Sequence, residues 1–246
     1  MPTPQKTAIV TGASRGIGAA IAQHLAANRY AVVVNYRADP HAAETIVAAI
    51  TRAGGTAAAC QADLTIEDQA KSLINFATTQ FGPLDLLVNN AGRAIGAPLT
   101  DIDAEHMQTQ TSLNIAGLLF ATKHASAAFA DRGGCIINIS SVQGVTPIPG
   151  GAVYCATKAA VNAITISLAA ELGPRNIRVN AIAPGLIMTD KMQAHLPEDA
   201  KPEIINATPL RRLGNPDDIA DIVTFLASDA ARWITGQIIT ASGGYR

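Results

Sequence analysis

Tyr154 and Lys158 lie four residues apart in the run GGAVYCATKAAVNAITISLAAEL. On a helix, positions i and i+4 share one face, so the phenol and the ammonium can reach the same pocket. The pKa of a free tyrosine is about 10, and a fixed cation nearby lowers it by favouring the phenolate. The spacing therefore predicts a proton-transfer pair with Tyr154 as general acid or base. Taken alone, the pair fits a solvated helix face as well.

A glycine-rich turn near the start of the chain indicates nucleotide binding. The segment KTAIVTGASRGIGAAIAQHLA places Gly12, Gly16 and Gly18 between the first predicted strand and the first predicted helix. Glycines there allow a tight turn and a close approach to a pyrophosphate, which lies at the positive end of the helix. Because a strand precedes the motif and a helix follows it, dinucleotide binding is favoured over a plain packing turn.

The end of the second predicted strand bears on the choice of nicotinamide cofactor. NAD-binding turns usually have an acid there, about 20 residues beyond the glycines, that bonds the ribose hydroxyls. In VVVNYRAD this position is Asn35, which would not repel a 2′-phosphate, and Arg15 and Arg37 could both contact one. NADP(H) is therefore predicted. Nearby Asp39, and the frequency of merely solvated arginines, leave additional use of NAD(H) open.

The elements that must position these residues alternate along the chain, β-rich runs with Ala-rich helical segments. This order predicts parallel βαβ units, and continuously apolar strands indicate helices on both faces of the sheet. The expected fold is a single α/β domain, 1–246, with a doubly wound seven-stranded parallel sheet. The strand candidates are TAIVT, YAVVVNY, TAAACQA, LDLLVNN, GCIINIS, IRVNAIAP and GQIITA. The helix predictions are 16–28, 40–53, 66–81, 103–131, 153–172 and 216–228.

A late segment, at about 186–212, lacks regular periodicity and is predicted to be a substrate lid. Composition narrows the function classes further: 48% hydrophobic residues, 15% charged residues and a net charge of −1 argue against a nucleic-acid partner. The sequence contains no run of about 18 uninterrupted apolar residues, the length of a membrane span, so a cytoplasmic protein is expected. The three cysteines and five histidines show no ligand spacing, so no metal site and no disulfide framework are expected.

Five motifs in chain order resemble the short-chain dehydrogenase/reductase family. They are the glycine turn, NNAG at 89–92, Asn114, Ser141 and the pair Tyr154 and Lys158. The resemblance runs from the first strand to the terminal GQIITASGGYR and so covers nearly the whole chain. Each motif is weak alone, but five in register are specific. They imply a Rossmann fold and favour the catalytic interpretation of the tyrosine and lysine.

The resemblance implies a role for each catalytic position. Tyr154 would donate a proton to a carbonyl during reduction and act as the base during oxidation, and Lys158 would lower its pKa and bond the nicotinamide ribose. Ser141 would hold the substrate oxygen; Ser140 fits less well, since adjacent strand residues point to opposite faces. Asn114 would hold a water that links Lys158 to solvent. The alternative for Asn114 is a buried amide that bonds backbone.

The resemblance also implies contacts to cofactor and substrate. Asp63 would accept a hydrogen bond from the adenine amino group, with a helix cap as the alternative. The predicted substrate contacts are Ser141 and Tyr154, from the resemblance, and Gln143, from its place in the loop before Tyr154, where Gly144 and Pro149 add to the pocket. The predicted cofactor-binding residues are Gly12, Ser14, Arg15, Gly16, Ile17, Gly18, Asn35, Arg37, Asp63, Leu64, Asn90, Ala91, Gly92, Tyr154, Lys158, Pro184, Gly185, Ile187 and Thr189.

Several segments resemble the 3-oxoacyl-[acyl-carrier-protein] reductase branch of the family. This implies NADPH-dependent reduction of a 3-oxoacyl thioester or similar ketone to a secondary alcohol. The same segments occur, with small changes, in sugar and polyol dehydrogenases. An NAD(P)-dependent dehydrogenase of a secondary alcohol is therefore the alternative, and a nucleotide-binding regulator without catalysis is a weaker one. The segments are TGASRGIG, IINISSVQG, YCATKAA, IRVNAIAPG and RLGNPDDIA.

The resemblance extends to partners. Arg132 and Arg175 occupy positions where the branch has basic residues able to meet an acidic carrier protein, so the substrate could be carried on acyl carrier protein or coenzyme A. Arginine at a helix end also opposes the helix dipole, with no docking needed. Members of the family often assemble as tetramers, and the helix at 153–172 is apolar on more than one face. A homotetramer is expected.

Overall fold

The computed structural model describes residues 6–245, apart from the side chains of Ala130, Lys191 and His195, and contains one all-parallel sheet. The strand order is β3-β2-β1-β4-β5-β6-β7, so the direction of winding reverses between β1 and β4. Ligands of such sheets bind at the carboxyl ends of the strands beside this reversal. The predicted doubly wound α/β fold is confirmed. The strands are β1 Lys6–Val10, β2 Tyr30–Tyr36, β3 Thr56–Gln61, β4 Leu84–Asn89, β5 Gly134–Ile139, β6 Ile177–Pro184 and β7 Ile238–Ala241.

Helices cover both faces of the sheet. Successive strand residues point to opposite faces, so each face is apolar and packs against its own set of helices. Val10 and Val34 pack with α1, α2 and α9, whereas Ile9 and Val33 pack with α3, α5 and α6. Full burial of strands on both sides explains their continuously apolar sequence. The helices are α1 Gly16–Ala27, α2 Pro40–Arg52, α3 Glu67–Phe81, α4 Ala104–Thr111, α5 Leu118–Ala128, α6 Ala152–Leu172, α7 Asp190–His195, α8 Ala200–Ala207 and α9 Pro216–Ala227.

Two helices begin where sequence signals place them. Asp39 accepts a hydrogen bond from the backbone N–H of Ala42 (2.9 Å) ahead of Pro40, the first residue of α2. Asn215 and Asp218 form a capping box at the start of α9, again with proline at the first turn. These caps satisfy amides that a helix start otherwise leaves without partners. Their predicted start positions, 40 and 216, are confirmed.

Two segments differ from the sequence expectation. The helix predicted over 103–131 is interrupted by a π-helical turn, Ser112–Gly117, between α4 and α5. The predicted lid contains two short helices, α7 and α8, in place of irregular chain. A parallel bridge between Ile187 and Gly214 ties the two ends of this lid together. The segment predicted as a lid is therefore folded, and the bridge joins the chain near its two ends.

One helix has the length and apolar character of a membrane span. By these two criteria Ala152–Arg175 could cross a membrane, with a mean hydropathy of 1.3 over its most apolar window, 33% of it buried. Core helices of globular proteins meet the same criteria, and α6 packs against β6. The stretch is interrupted by Lys158 and Glu171, so it is not an uninterrupted apolar run.

Candidate active site

The glycine turn after β1 has the geometry that its sequence predicts. Gly12 and Gly16 adopt φ values of +61° and +56°, in the left-handed region that disfavours other residues. A Cβ on Gly18 would lie 2.5 Å from Nδ2 of Asn90. That amide donates hydrogen bonds to the carbonyls of Thr11 (2.8 Å) and Gly12 (3.0 Å). The end of β4 thus braces the turn, and no larger residue could replace Gly18 without displacing the brace.

The start of α1 fits a pyrophosphate. Its N-cap, Arg15, makes no side-chain capping bond, and the first turn contains no acid. The amides of this turn and the positive end of the helix dipole are therefore not neutralised by the helix itself. In contrast with α2 and α9, the residues here suit an anionic group. Ser14 and Ile17, from the predicted set, are half-buried beside the turn.

Asn35 has a different place from the one expected. Its side chain is 2% exposed. Oδ1 accepts a hydrogen bond from the backbone N–H of Gly12 (3.1 Å), and Nδ2 donates to the carbonyls of Cys60 and Ala62 (both 3.2 Å). The amide is thus fully used in joining β2, β3 and the glycine turn. A direct bond from this side chain to a cofactor, which its place in the predicted cofactor set implies, would have to replace one of these bonds. Arg15 and Arg37, by contrast, are exposed.

The other predicted adenosine residues lie at the ends of β3 and β4. Asp63 accepts hydrogen bonds from both the N–H and the hydroxyl of Thr65 (3.0 and 2.8 Å) through Oδ1. These bonds form a turn ahead of α3, whose N-cap is Ile66, so Asp63 is not the cap of that helix. Leu64 is buried in the core, so only its backbone can face a ligand. Ala91, like Asn90, donates its backbone N–H to the hydroxyl of Thr11 (3.0 Å). These contacts place NNAG directly beside the glycine turn.

The segment after β6 reaches the same place. Gly185 packs on Ser242, where a Cβ would lie 2.9 Å from Cα, and Ile187 is buried in the core. Thr189 caps α7 through its hydroxyl, and its Cγ2 lies where a Cβ on Gly16 would approach it to 3.2 Å. The first residues of the lid are thus in contact with the glycine turn, downstream of Pro184 at the end of β6.

Lys158 is buried behind Tyr154. Its ammonium is 5.8 Å from the centroid of the tyrosine ring and donates a hydrogen bond to the carbonyl of Ile139 (2.7 Å). A Cβ on Gly92 would lie 3.5 Å from the same ammonium and 3.4 Å from Oδ1 of Asn114. The glycine therefore leaves room for the lysine and the asparagine side by side at the end of NNAG.

Burial dominates the pKa values of this pair. It lowers the pKa of Lys158 to about 8. It also raises the pKa of Tyr154; a hydrogen bond with Ser141 opposes this shift and Cys155 adds to it. The pKa of Tyr154 thus shifts upward overall, opposite to the predicted lowering, because desolvation outweighs any effect of the Lys158 ammonium in favour of the phenolate.

The two serines after β5 point in opposite directions. The hydroxyl of Ser140 donates to the side chain of Asn162 (2.7 Å) and to the backbone carbonyl of Lys158 (3.2 Å). The hydroxyl of Ser141 accepts from the backbone N–H of Gln143 (3.1 Å) and interacts with the phenol of Tyr154. The hydroxyl of Ser141 thus lies at the tyrosine, whereas the hydroxyl of Ser140 is used within the fold.

Asn114 lies within the π-helical turn and is 2% exposed. Its Oδ1 accepts from the backbone N–H of Arg93 (2.8 Å), and its Nδ2 donates to the Arg93 carbonyl (2.9 Å) and the Thr157 hydroxyl (3.0 Å). The side chain thus matches the alternative of an amide that bonds backbone, and it fixes the chain after NNAG against α6. A π-helical turn also displaces backbone carbonyls from their regular partners and is common at functional sites.

A cavity of about 570 Å³ lies beside Tyr154. Its walls come from the loop after NNAG and from the loop before α6, and none of the described lining residues belongs to the lid. Gln143 and Pro149 were expected there, whereas Ser141 and Gly144, also expected at the pocket, are not among its lining residues. The loop after NNAG was missed, since its small and apolar residues carry no chemical signal. The lining residues are Ala94, Ile95, Gly96, Ala97, Pro98, Gln143, Ile148, Pro149, Gly150, Gly151 and Tyr154.

Arg132 and Arg175 both have partners within the chain. Arg132 forms an ion pair with Asp85 (2.8 Å), and Arg175 donates to the backbone carbonyl of Ser126 (2.7 Å). Both contacts are exposed, so a carrier protein would have to share or replace them. Among the side chains that the structure describes, which do not include that of His195, no three acidic, histidine or cysteine side chains cluster as metal ligands.

Sequence comparison identifies relatives over almost the entire chain. Residues 12–246 match a family model described as enoyl-(acyl carrier protein) reductase, which belongs to the short-chain dehydrogenase/reductase group. An uncharacterized oxidoreductase of Methylorubrum extorquens is 49% identical over 243 residues, 98% of each chain. A 3-oxoacyl-[acyl-carrier-protein] reductase of Staphylococcus aureus is 43% identical over 240 residues, 97% of each chain.

Solved structures agree with these relatives. A 7α-hydroxysteroid dehydrogenase in complex with NADH and 7-oxo glycochenodeoxycholic acid superposes with a TM-score of 0.94 at 37% identity, covering 98% of this chain and 94% of that one. A blue fluorescent protein from a metagenomic library, in complex with NADPH, has a TM-score of 0.91 at 35% identity, covering 98% and 97%. With a matching family model, relatives above 40% identity and the tyrosine, lysine and serine gathered beside a nucleotide-binding turn, the chain belongs to the short-chain dehydrogenase/reductase family of oxidoreductases.

Proposed function

We propose that the protein reduces a ketone, a 3-oxoacyl thioester or similar carbonyl compound, to a secondary alcohol with NADPH. One observation carries the proposal: Tyr154 lies on the wall of the cavity, interacts with Ser141, and has Lys158 buried behind it. A ketone whose oxygen meets the phenol and the serine hydroxyl would present its carbon to the space beside Gly92, next to the nucleotide turn.

The residues divide the chemistry between them. When bound, a nicotinamide cofactor supplies the hydride. Because burial raises the pKa of Tyr154, the phenol is protonated at neutral pH and can donate its proton to the developing alkoxide. Ser141 accepts from the Gln143 backbone and so directs its own hydrogen towards the same oxygen. Lys158, with a pKa of about 8, is charged at neutral pH and favours the phenolate that remains.

The proposed proton relay and cofactor contacts rest on the same geometry. Asn114, which lies with Lys158 at Gly92, would hold through its backbone a water that returns a proton from solvent. The turn residues would bind the pyrophosphate, and the segment from Pro184 to Thr189 would face the nicotinamide. The chain from 1 to 246 would form one nucleotide-binding domain, with 186–212 as the lid.

NADP(H) is the proposed preference. Arg15 and Arg37 are both exposed at the two edges of the turn, where a 2′-phosphate would add charge-assisted bonds. Asn35 does not contact a 2′-phosphate, because its amide is hydrogen-bonded inside the fold, but it also brings no negative charge that would repel one. The similar structures with NADH and with NADPH show that the fold accepts either cofactor, so use of NAD(H) is part of the test.

Three further parts of the proposal concern the protein's surroundings. The named activity of the Staphylococcus aureus relative supports a substrate attached to acyl carrier protein, and coenzyme A is the alternative carrier. Arg132 and Arg175 are the candidate contacts for an acidic carrier. The apolar helix α6, only 33% buried over its most apolar window, supports a homotetramer. The cytoplasmic location expected from the sequence is part of the same proposal. A monomer by light scattering at micromolar concentration would contradict this assembly.

The decisive experiment follows the loss of reduced-nicotinamide absorbance with NADPH and with NADH. The substrates are a 3-oxoacyl thioester, a simple ketone and a 2-enoyl thioester, and sugars and polyols are assayed in the oxidative direction. We expect fastest turnover of the 3-oxo compound with NADPH. Reduction of the enoyl compound alone would favour the chemistry in the family model's description, and fast polyol oxidation with either cofactor would favour the dehydrogenase alternative.

A Tyr154→Phe variant tests the mechanism in the same assay. It removes the phenolic proton and keeps the ring, so kcat should fall by about 100-fold or more. Binding of NADPH, followed by nucleotide fluorescence, should change little. A variant that keeps most of its activity would show that another group donates the proton.

A further inference from the structure

The cavity beside Tyr154 has few polar groups. Among its described lining residues, only Gln143 and Tyr154 have polar side chains, and none is charged. The remaining walls are alanine, glycine, proline and isoleucine. A substrate that enters the cavity therefore meets a single polar side chain apart from the group that handles the reacting oxygen. A polyol, which needs several hydrogen-bond partners, would leave most of its hydroxyls unpaired.

The amide of Gln143 has one end engaged and one end available. Cys155 is buried, and its Sγ lies 3.9 Å from Oε1 of Gln143, at the distance of a weak thiol hydrogen bond. Oε1 is therefore the acceptor of that bond, and Nε2 is at the other end of the amide. In the part of the chain that the structure describes, no hydrogen bond uses this Nε2. Because Gln143 lines the cavity, the two hydrogens of this Nε2 are the amide donors left for a ligand there.

Gln143 is also connected to the reacting oxygen's partner. Its backbone N–H donates to the hydroxyl of Ser141 (3.1 Å), within the single turn Val142–Gly144. The serine that would hold a ketone oxygen and the amide donor are thus two residues apart on one short turn. In a compound whose ketone and second carbonyl are separated by one carbon, the ketone oxygen could bind at Ser141 while the second carbonyl oxygen binds at Gln143.

We propose that Gln143 determines specificity by donating a hydrogen bond from Nε2 to the second carbonyl of a 3-oxo ester or thioester. This inference rests on the proposed ketone reduction and narrows its substrate class to 1,3-dicarbonyl compounds. Discrimination arises because a site that hydrogen-bonds a substrate group disfavours the analogue that lacks it. Tyr154 and Ser141 hold the ketone oxygen, and Gln143 selects what is attached to it.

The test compares two substrates that differ only at the second carbonyl. They are ethyl 3-oxobutanoate and 4-ethoxybutan-2-one, in which that carbonyl is a methylene group. The measured quantity is the ratio of their kcat/KM values with NADPH. We expect a ratio well above one for the wild type and a fall of about 10-fold or more in Gln143→Met, since a hydrogen bond to a neutral donor is lost. The methionine keeps the side chain's length and the backbone N–H to Ser141.

Two further variants separate loss of the Gln143 donor from a general change in the cavity. Gln143→Glu keeps the length and the oxygen beside Cys155 but removes the donor, so its ratio should fall as well. Ile148→Ala, another cavity residue, should change both substrates alike and leave the ratio within about threefold. Melting temperature and NADPH binding are measured for each variant, and the glutamate variant decides the matter if the methionine variant does not fold.

The outcomes separate this inference from the proposed function. If the wild type reduces both compounds with a ratio near one, or if the ratio is the same in the wild type and both Gln143 variants, ketone reduction stands and the role of Gln143 is refuted. If the wild type reduces neither compound, nor any other ketone, both are refuted. A selective fall of the ratio at Gln143, absent at Ile148, establishes the inference.

Discussion

Replacing Lys158 by methionine removes a buried ammonium while keeping the length of the side chain. In the folded protein burial lowers the pKa of Lys158 from 10.5 to about 8. In the unfolded chain the lysine keeps its ordinary pKa and therefore holds its proton to higher pH. Between these two values the unfolded state binds more protons than the folded state, so the stability of the wild type rises with pH. The methionine variant lacks this contribution.

The size of the effect follows from the two pKa values. Relative to Lys158→Met, the free energy of unfolding of the wild type should increase by about 2 kcal/mol between about pH 7 and about pH 9.5. Most of the increase lies above pH 8, because below it both states hold the proton. Other groups, among them the buried thiol of Cys135 with its raised pKa, titrate in both proteins and cancel in the difference.

The assay is urea denaturation of both proteins at one protein concentration across this pH range, since assembly would make stability depend on concentration. Lys158→Arg is the matched control: its guanidinium stays charged throughout, so its stability should show the same pH dependence as that of the methionine variant. A difference between wild type and Lys158→Met that is constant to within about 0.5 kcal/mol would refute the reasoning, because the ammonium would then not be desolvated.

Two further pairs of substitutions test the site's geometry. Ser141→Ala should lower kcat for ketone reduction by about 100-fold through loss of a donor to the reacting oxygen. Ser140→Ala should mainly cost about 1 kcal/mol of stability, seen by thermal unfolding, because its hydroxyl bonds α6; equal effects on kcat would contradict the assignment. Gly18→Ala should lower the free energy of unfolding by about 2 kcal/mol, since its Cβ would lie 2.5 Å from Asn90. It should also weaken the affinity for NADPH, which is measured by titration. Gly54→Ala, at a φ of +82° with nothing within 4 Å, should cost about 1 kcal/mol and leave NADPH affinity unchanged; similar NADPH affinities for the two variants would refute the brace.

Much of the fold could be predicted because its signals are local. The run YAVVVNY is continuously apolar and β-branched, and the strand Tyr30–Tyr36 coincides with it. Proline after a capping acid marks the start of α2 at residue 40. The glycine motif of the first turn follows a strand and precedes a helix, and this context makes it specific for a dinucleotide-binding turn. Neighbouring residues in sequence carry these signals, so no knowledge of distant contacts is needed.

The errors concern contacts between distant segments. Counting about 20 residues from the glycines led to Asn35, but only the pairing of β2 with β3 shows that this side chain points under the turn. The pKa of Tyr154 depends mainly on its burial and on its hydrogen bond with Ser141, and neither is visible in the neighbouring sequence. The loop at 94–98 forms a cavity wall with residues of no chemical character, so only its position reveals it.

The π-helical turn Ser112–Gly117 makes the site sensitive to the deletion of a single residue. Such a turn holds one more residue than a regular helical turn, and its removal would rotate α5 relative to α4 by about 100°. Deleting a single residue there would leave every motif in the sequence intact, yet it would swing Asn114 away from Arg93 and Thr157. The number of residues between the NNAG segment and α5 is therefore itself a requirement of the site geometry, as much as the identity of any side chain.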